Sequence, residues 1–525
     1  MPLDVKNLPD DPAQLKHIIA SLISGYQEKI GHLEEHVRLL RNEIFGRKSE
    51  KRPLPEDGRQ QQLFDEADGD SPEQIRPAPE PVPVASHKRR KAGRKPLPAN
   101  LPRVEIIHDL AESQKQCACG STLSRIGEEV CEKLDIIPAK VQVARHIRYK
   151  YACKGCEGVE SQGATVLIAP APPQLIPKSM ATPGLLAHIV VAKFEDALPF
   201  HRQSKQFARM GIDLPRATLC NWARQVSERA RVLADLMDRA IREGPIVNID
   251  ETTVQVLKEP GRTDSQKSYM WVFRGGDPEH PVLRYQYHPT RAGSVPLNYL
   301  AGFTGYVQTD GYNGYDALGR KPGIVLVGCW AHARRKFHEV IQAAGPQLAK
   351  KRLAAEQALE FIGRLYRIEK EARVKELCAS ALCELRQQQA KPVLDEFKSW
   401  LEEKAPLAPP GGLLGKAIGY SLNQWPRLIA YLQDGRLKPD NNLVENAIRP
   451  FVVGRKNWLF SGHPRGAEAS AFLYSLIETA KANDLKPYAY LRFLFDQLPW
   501  TSTEDGYRNL LPPYLDTSRL NHIAA

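Results

Sequence analysis

The N-terminal segment carries an apolar pattern with the period of a coiled coil. Apolar side chains recur at alternating steps of four and three residues, at Ile19, Ile23, Tyr26, Ile30, Leu33, Val37, Leu40 and Ile44. Isoleucine or valine fills every a position, which favours a parallel two-stranded coil. The pattern predicts a dimerising zipper helix over residues 12–46. The alternative is a single amphipathic helix packed on its own chain.

Residues 47–100 lose this periodicity and become rich in Pro, Glu, Asp and Gln, which predicts a disordered linker. The end of the linker is strongly basic, with six cations within eight residues: Lys88, Arg89, Arg90, Lys91, Arg94 and Lys95. Basic arms of this kind bind phosphate or enter a minor groove with little sequence information. A solvated run of charges is the alternative.

Residues 101–165 contain two cysteine pairs around a hairpin-like segment. The pairs are Cys117 with Cys119 and Cys153 with Cys156. Four thiolates in two such knuckles can form a tetrahedral, structural zinc site. The first pair has one intervening residue where two to four are common, so Cys131 and His146 remain alternative ligands.

Residues 175–240 have helical periodicity, and Pro199–Ser227 reads as two short helices joined at residues 211–215. This arrangement resembles a helix-turn-helix, whose second helix contacts DNA through its first turns. The predicted DNA-contacting residues are Arg216, Thr218, Asn221 and Arg224. A helical hairpin with no DNA role is the alternative, and we expect Cys220 and Trp222 to be packing residues.

Two short apolar runs predict strands that end in carboxylates. Pro245–Ile249 reads as a central strand that ends at Asp250, which places this carboxylate at a sheet edge. Gly305–Thr309 reads as a second strand followed by Asp310, and Gly311 permits a sharp turn. The two carboxylates are therefore expected to face each other.

A third carboxylate, Glu445, is predicted on a helix. Asp440–Asn442 are good N-cap residues, Leu443–Ile448 continue as a helix, and Pro450 is expected to stop it. Residues that favour DNA contact follow: Arg449, Arg455, Lys456 and Trp458. They offer phosphate-binding charges beside a ring on which a base could stack.

Together, Asp250, Asp310 and Glu445 could hold two Mg²⁺ or Mn²⁺ ions for in-line phosphoryl transfer, because these ions prefer oxygen ligands. Plainer interpretations exist: a strand-end aspartate is often a turn residue, and Glu445 could form an ion pair with Arg449. Only one of Asp250 and Glu251 can face the metals, since successive strand residues point to opposite faces.

The stretch between Asp310 and Glu445 is interrupted by a predicted helical insertion at about residues 340–435. Cys329 and His332 precede it as a Cys-x-x-His element. A zinc site is one interpretation, but no second pair lies nearby in sequence. A structural or substrate-positioning role is therefore preferred.

Length and charge agree with a large DNA-binding protein. The chain has 525 residues, 42% of them hydrophobic, and a net charge of +12, which suggests several domains and a polyanionic partner. No run of about eighteen uncharged apolar residues occurs, and no signal-peptide layout opens the chain. We therefore expect a cytoplasmic protein with no membrane partner, whose nine cysteines are reduced thiols or metal ligands.

The segment from Asn441 to Gly462 resembles the signature of the IS66 family of bacterial insertion-sequence transposases. Ile249–Thr252, Thr309–Tyr312 and Gly328–Phe337 also resemble family blocks, in the family order, so the likeness covers nearly the whole chain. A zinc-finger region with the layout of the two cysteine pairs precedes the catalytic domain in this family.

The resemblance implies a multidomain α/β protein. An RNase H-like catalytic core over residues 241–490 carries the helical insertion. It follows a coiled-coil helix, a small zinc-binding domain and a helical DNA-binding domain, and residues 491–525 form a tail. Asp250, Asp310 and Glu445 would be the Asp-Asp-Glu triad with two Mg²⁺ or Mn²⁺ ions, and His332 would contact the region of the scissile phosphate.

The resemblance also implies partners. The substrate would be double-stranded DNA, namely the terminal inverted repeats of the element and its target, in a bacterial, nucleoid-associated setting. A homodimer or higher oligomer is expected, and accessory proteins encoded by the same element are implied. Two other classes stay open. One is a non-catalytic sequence-specific DNA-binding regulator, against which the intact triad argues, and the other is an RNase H-like structure-selective nuclease.

Overall fold

The computed structural model of the protein describes residues 11–45, 141–152, 166–344 and 354–523. The chain forms two compact units, one of residues 1–51 with 172–525 and one of residues 52–171. Three sequence predictions lie outside the described residues: the linker, the basic arm from Lys88 to Lys95, and the zinc ligands Cys117, Cys119, Cys153 and Cys156.

In the smaller unit, the described residues form one antiparallel hairpin. Strand β1, Lys150–Ala152, pairs with strand β2, Val166–Ile168, and Lys150 lies opposite Ile168. Strand β1 ends immediately before Cys153, so one predicted cysteine pair follows directly from a hairpin strand.

The larger unit begins with helix α1, Pro12–Phe45, which confirms the helix predicted from the heptad pattern. All eight residues of the heptad pattern are exposed. The opposite face of the helix docks on the protein instead, where Leu39 is buried against Ala343 and Leu413. Arg38 Nε donates to the carbonyl of Ala343 at 2.9 Å, and Asn42 Nδ2 donates to that of Gln342 at 2.9 Å.

The remaining helices of the larger unit follow the chain. They are α2 Pro183–Phe194, α3 Phe200–Arg209, α4 Arg216–Ala230, α5 Val232–Glu243, α6 Ser294–Tyr299, α7 Asp316–Gly319, α8 Trp330–Ala343, α9 Ala354–Val374, α10 Ala379–Leu385, α11 Lys391–Lys404, α12 Leu413–Asn423, α13 Trp425–Leu428, α14 Asn442–Trp458, α15 Pro464–Ala482, α16 Pro487–Gln497 and α17 Glu504–Arg508. Local sequence explains several of the boundaries. Helix α2, for example, begins with Pro183 after Thr182, whose hydroxyl accepts the Leu185 N–H.

A mixed sheet forms the centre of this unit. Its strands are β3 Ile246–Val256, β4 Lys267–Gly276, β5 Pro281–His288, β6 Gly305–Gln308, β7 Ile324–Val327 and β8 Phe460–Ser461. They lie in the order β5-β4-β3-β6-β7, with β8 paired to the far end of β3. Strands β4 and β5 are antiparallel neighbours, whereas β6 and β7 run parallel to β3. The protein is therefore a mixed α/β structure with a helical N-terminus.

Glycine is required where the parallel part of the sheet begins. Gly305, the first residue of β6, has φ +140°, and a Cβ atom there would lie 2.5 Å from the carbonyl oxygen of Pro245. The same oxygen accepts the Tyr306 N–H at 3.0 Å. A side chain at Gly305 would therefore separate β6 from β3.

Strand β3 is longer than predicted. It continues from Ile246 through Asp250 to Val256, so the prediction that Asp250 ends a strand at a sheet edge is wrong. The continuation is rich in β-branched residues, and β4 pairs with it as far as Gln255. Asp250 thus lies in the middle of the central strand.

Helix α14 is also longer than predicted, because Pro450 lies inside it and does not stop it. Proline removes one backbone hydrogen bond and normally costs about 3 kcal/mol in a helix interior. Ile448 and Phe451 are both buried in the main core on either side of Pro450. Tertiary packing of this face therefore outweighs the local penalty.

Two large cores lie in the described part of the larger unit, besides the small cluster of Leu39, Ala343 and Leu413. The first joins α2–α5, the sheet, α14–α16 and the chain as far as Leu515. The second belongs to the predicted helical insertion, and among the described residues between β7 and β8 no strand occurs.

One fully buried arginine ties the second core together. Arg386 lies in a π-helical turn, Arg386–Ala390, pairs with Glu369 at 2.7 Å, and donates to three backbone carbonyls between residues 431 and 437.

The described helices include no candidate membrane span, because none of them combines sufficient length with sufficient hydrophobicity.

Candidate functional site

Asp250 lies at a gap in the hydrogen bonding of the central strand. On one side, β3 pairs with β4 along its length, and Asp250 is opposite Val272. On the other side, β6 pairs only with Ile246–Asn248, and β8 joins at Gln255. The edge of β3 between these two partners is therefore open to another element, and helix α14 lies there.

Asp310 follows the short parallel strand β6, as predicted. Its carboxylate accepts the Tyr312 N–H at 2.9 Å, which turns the chain away from the sheet. A Cβ atom at Gly311 would lie 2.6 Å from the Tyr420 ring. Glycine is thus needed here for the close approach of an aromatic side chain.

A network of three side-chain amides holds the start of α14 against the sheet. Asn248, Gln308 and Asn441 are exposed by 2%, 1% and 1%. Asn248 Nδ2 donates to Gln308 Oε1 at 3.0 Å and to Asn441 Oδ1 at 3.1 Å. Asn441 Nδ2 donates to the Ile249 carbonyl at 2.9 Å. Asn441 precedes α14 but makes no side-chain cap bond, because its amide binds the open edge of β3 instead.

Glu445 lies in the first turn of α14, directly after this anchor. Its Oε1 atom is 3.6 Å from His332 Nδ1 and 3.9 Å from Cys329 Sγ. No ion pair with Arg449 is found in the described part of the chain, so the plain interpretation of Glu445 as a surface ion-pair partner is not supported. The fold instead brings the Cys-x-x-His element to the third carboxylate.

The three carboxylates influence each other electrostatically. Burial, and to a smaller extent the negative charges of Glu251, Glu445 and Asp310, together raise the pKa of Asp250 to about 8. Among the described residues, the candidate ligand atoms found together within 4.8 Å are those of Cys329, His332 and Glu445, not those of the three carboxylates. Neighbouring carboxylates repel one another unless a cation lies between them.

Glu251, the neighbour of Asp250, has a separate structural role. Its side chain is buried and forms an ion pair with Arg291 at 2.5 Å. Its second oxygen accepts the Tyr315 hydroxyl. The Arg291 guanidinium also lies 3.8 Å from the centre of the Tyr312 ring. Because Glu251 is fully engaged on its own face of the strand, Asp250 is the member of this pair that is available to a ligand.

The residues after Glu445 divide into two groups. Arg449 and Lys456 are exposed, whereas Arg455 donates to the hydroxyls of Thr252 and Thr253 at 3.2 and 3.1 Å. The prediction that Trp458 offers a free ring for base stacking is wrong. One edge of its ring meets Phe451, and Lys193 lies 5.4 Å from its centre, so the ring belongs to the packing between α14 and α2.

The predicted helix-turn-helix segment consists of α3 and α4, which meet through residues 210–215. Arg216 and Asn221 are exposed, Thr218 is half-buried, and Arg224 bonds to Asn221 and Glu228 on the outer face of α4. Trp222 is buried, as predicted. Cys220 is exposed, so the expectation that it is a core residue is wrong: the position lies on the outer side of α4, next to Asn221.

Several other residues that belong to the site were not predicted from the sequence. Asn248, Gln308 and Asn441 are far apart along the chain, and a polar residue within an apolar strand run was the only signal for the first two. Arg291 and Tyr315 lie in segments without a recognisable motif. Their role follows only from their contacts with Glu251.

Comparison with known protein families identifies the family to which this chain belongs. Residues 178–469, more than half of the chain, match the family model described as "Transposase IS66 family". The chain belongs to the IS66 transposase family. Residues 114–157 match "zinc-finger binding domain of transposase IS66", which supports a structural zinc ion. Residues 475–512 match "IS66 C-terminal element", and residues 32–106 match "Transposase C of IS166 homeodomain".

Similar full-length proteins come from Sinorhizobium fredii. The uncharacterized protein y4jD is 36% identical over 429 residues, which cover 80% of this chain and 81% of that protein. The uncharacterized protein y4qI is 31% identical over 541 aligned residues, which cover 94% of each chain. This IS66-family chain therefore resembles these proteins over most of its length. Its family membership supports a transposase role with DNA as the partner.

The first prediction concerns the amide anchor. Asn441→Ala removes the hydrogen bond from Asn248 to Asn441, although Asn248 keeps Gln308, and it removes the Asn441 amide that binds the Ile249 carbonyl, which costs about 1–3 kcal/mol. We expect backbone amides in the first turn of α14 to exchange faster with deuterium, with the change confined to α14 and the adjoining end of β6. Asn446→Ala is the matched control, because Asn446 is exposed on the same helix. Equal exchange in both variants would contradict the anchoring role.

The second prediction concerns pH. The folded protein holds a proton on Asp250 that the unfolded chain has released, because the pKa is raised from its usual value near 4 to about 8. The free energy of unfolding therefore decreases as pH rises through this window. In chelator, the melting temperature should fall more steeply between pH 5 and pH 8 for the natural protein than for Asp250→Asn. Parallel curves would show that Asp250 is not perturbed.

Proposed function

We propose that this IS66-family protein is a DNA transposase that binds the ends of its insertion sequence and performs metal-dependent DNA cleavage and strand transfer through Asp250, Asp310 and Glu445. The observation that carries the proposal is the position of these residues. One lies on the central strand, one follows the neighbouring parallel strand, and one lies in the first turn of the helix that closes the gap between them.

We further propose that the catalytic core has an RNase H-like fold. The support is the sheet itself, in which the long strand β3 is followed on one side by β4 and β5, each antiparallel to the strand before it, and on the other side by the parallel strands β6 and β7. The three antiparallel strands are consecutive in the chain, and the helical insertion separates the last parallel strand from α14. In this sheet Asp250 lies on β3, and Asp310 follows the adjacent strand β6.

The residues present suit a pair of hard divalent cations. Oxygen is the ligand that Mg²⁺ and Mn²⁺ prefer. The pKa of Asp250 is raised first by burial and then by the neighbouring carboxylates, and a bound cation would stabilise the ionised carboxylate. Asp250, Asp310 and Glu445 would hold the ions, which supply Lewis-acid stabilisation of the attacking and leaving oxygens.

Other residues would orient the site and the DNA. The ion pair of Glu251 with Arg291 keeps that carboxylate apart from the metals. Asn441 fixes the first turn of α14, and with it Glu445. Arg449 and Lys456 are exposed and would hold a DNA strand, with His332 near the scissile phosphate. Arg455 would have an indirect role in DNA binding, through its hydrogen bonds to the Thr252 and Thr253 hydroxyls.

End recognition would come from modules outside the catalytic sheet. The outer face of α4 presents the residues predicted to contact DNA, namely Arg216, Thr218, Asn221 and Arg224. The basic arm at residues 88–95 would add phosphate contacts. The zinc finger, with Cys117, Cys119, Cys153 and Cys156 as proposed ligands, would be a folded element stabilised by its metal.

The third prediction tests the catalytic assignment. With duplex DNA carrying the sequences that flank this reading frame, and with Mg²⁺ or Mn²⁺, we expect nicking at the element boundary. Asp250→Asn, Asp310→Asn and Glu445→Gln should each lower the cleavage rate by at least about 10²-fold, since each removes charge that holds the cations. Binding of the same DNA should stay within about threefold, since the contacts of α4 are untouched.

Glu468→Gln is the matched control for these variants, because Glu468 is an exposed helical carboxylate at the surface of the same unit. It should cleave as the natural protein does. Normal cleavage by Asp310→Asn would refute the triad. Specific binding without cleavage by any protein would favour a DNA-binding regulator, and cleavage governed by DNA structure rather than by the ends would favour a nuclease.

The protein is also proposed to be a homodimer through α1. The docked residues Glu35, Arg38, Leu39 and Asn42 occupy the b, c and f positions of the heptad, so docking leaves the a and d positions free. A stripe of exposed isoleucine, leucine and valine at these positions suits a second copy of the same helix.

The fourth prediction tests this dimer. Ile30→Glu combined with Val37→Glu places two charges at exposed a positions and should convert a dimer to a monomer in light scattering. Ser21→Glu combined with Ser24→Glu adds the same charge on the opposite face and should leave the dimer intact. A natural protein that is monomeric at micromolar concentration, or an unchanged dimer in the first variant, would exclude pairing through this stripe.

A further inference from the structure

A mixed set of metal-binding donors surrounds Glu445. Cys329 immediately precedes α8, His332 lies in its first turn, and Glu445 lies in the first turn of α14. Their ligand atoms all lie within 4.8 Å of one another. The sequence argued against zinc at Cys329 and His332 because no second pair lies nearby in the chain. The fold supplies the third donor from a residue more than a hundred positions away.

The spacing of these donors is close to that of tetrahedral ligands. Zinc bonds of about 2.3 Å to sulfur and about 2.1 Å to nitrogen or oxygen place neighbouring ligand atoms about 3.6 Å apart for S···O and about 3.4 Å for N···O. The observed separations are 3.9 Å from Cys329 Sγ to Glu445 Oε1 and 3.6 Å from His332 Nδ1 to the same oxygen. These two pairs need to close by only a few tenths of an ångström, and the third pair, Cys329 with His332, lies within 4.8 Å.

The Nδ1 atom of His332 is available to bind a cation. His332 Nδ1 is buried and has no hydrogen-bond partner among the described residues, although it faces the Glu445 carboxylate. A lone pair on this nitrogen would repel the carboxylate oxygen unless a proton or a metal ion lay between them. Cys329 is held in place, because its sulfur accepts the Asn441 N–H at 3.2 Å.

The chemistry of the donors distinguishes this cluster from the carboxylate pair. Thiolate and imidazole ligands select zinc and other borderline or soft ions, whereas Asp250 and Asp310 offer only oxygen. A cluster with three protein ligands leaves a fourth position for water or for a phosphate oxygen. Glu445 is the one side chain that both sets would need.

We propose that Cys329, His332 and Glu445 form a thiophilic metal site that takes Zn²⁺ and draws Glu445 away from Asp250 and Asp310. Binding would release the Cys329 thiol proton to solvent, and the thiolate, the imidazole and the carboxylate would become ligands. The binding site stands on its own geometry. Its consequence, that zinc opposes Mg²⁺-dependent cleavage, rests on the function proposed above.

The test begins with zinc counted per chain, without DNA. Full-length protein is equilibrated with free Zn²⁺ in the micromolar range, dialysed against the same buffer, and analysed for metal. Cys329→Ala and His332→Ala should each hold one equivalent less than the natural protein. Cys378→Ala is the control, because this thiol is exposed elsewhere in the chain and should change nothing.

One further variant covers the case in which Cys329→Ala does not fold, and another separates this site from the zinc finger. If Cys329→Ala, which empties a buried position, fails to fold, His332→Ala at a half-buried position reports on the same site. Cys153→Ser should lose the zinc of the finger and keep the zinc of the new site. Zinc content equal to the natural protein in both Cys329→Ala and His332→Ala would overturn the proposal.

The second step measures cleavage of the element ends in Mg²⁺ with and without added zinc, each variant being compared with itself. Zinc should slow the natural protein at least tenfold, and the ratio should approach one in Cys329→Ala. Zinc bound at the site without any slowing would overturn the competition for Glu445. If the natural protein does not cleave in Mg²⁺ at all, the proposed function fails, while the zinc count still decides the site.

Discussion

Three buried amides hold the site together, because they connect elements that the chain keeps far apart. Asn248 lies on the central strand, Gln308 ends the neighbouring parallel strand, and Asn441 opens the helix that carries Glu445. A buried amide without partners costs about 1–3 kcal/mol, so each member holds the other two in one arrangement. The strand gap beside Asp250 is filled by a helix for this reason, and the three carboxylates reach one region of space.

The same region concentrates negative charge without balancing it. Glu251 has its own arginine and tyrosine, whereas Asp250 has burial and three carboxylate neighbours, and its pKa rises accordingly. Burial raises the pKa of Glu251 as well, but Arg291 and Tyr315 oppose that shift, whereas no cationic side chain opposes it at Asp250 among the described residues. This difference supports the proposal that Asp250 takes its counter-charge from a bound cation. The exposed Arg449 and Lys456 lie on the same helix as Glu445, where a phosphate backbone could reach them.

The sequence predicted the parts of the site that local pattern determines. The three carboxylates stand in short motifs, and the α3–α4 hairpin and the α1 helix follow from periodicity. The failures have a common physical cause in tertiary contact. Pro450 stays in a helix because Ile448 and Phe451 are buried, and Trp458 packs against Phe451 and Lys193 rather than facing DNA. The approach of His332 to Glu445 likewise depends on how α8 and α14 dock, which no local pattern encodes.

The docking of α1 also has a mechanical consequence. Every described side chain from Ile19 to Ile30 is exposed, and the described hydrogen bonds and apolar contacts that fix the helix to the protein lie between Glu35 and Asn42. At 1.5 Å per residue, the part of the helix from Ile19 to Glu35 is about 24 Å long. A force on the free end of α1 would be transmitted to the last turn of α8. His332 lies in the first turn of α8.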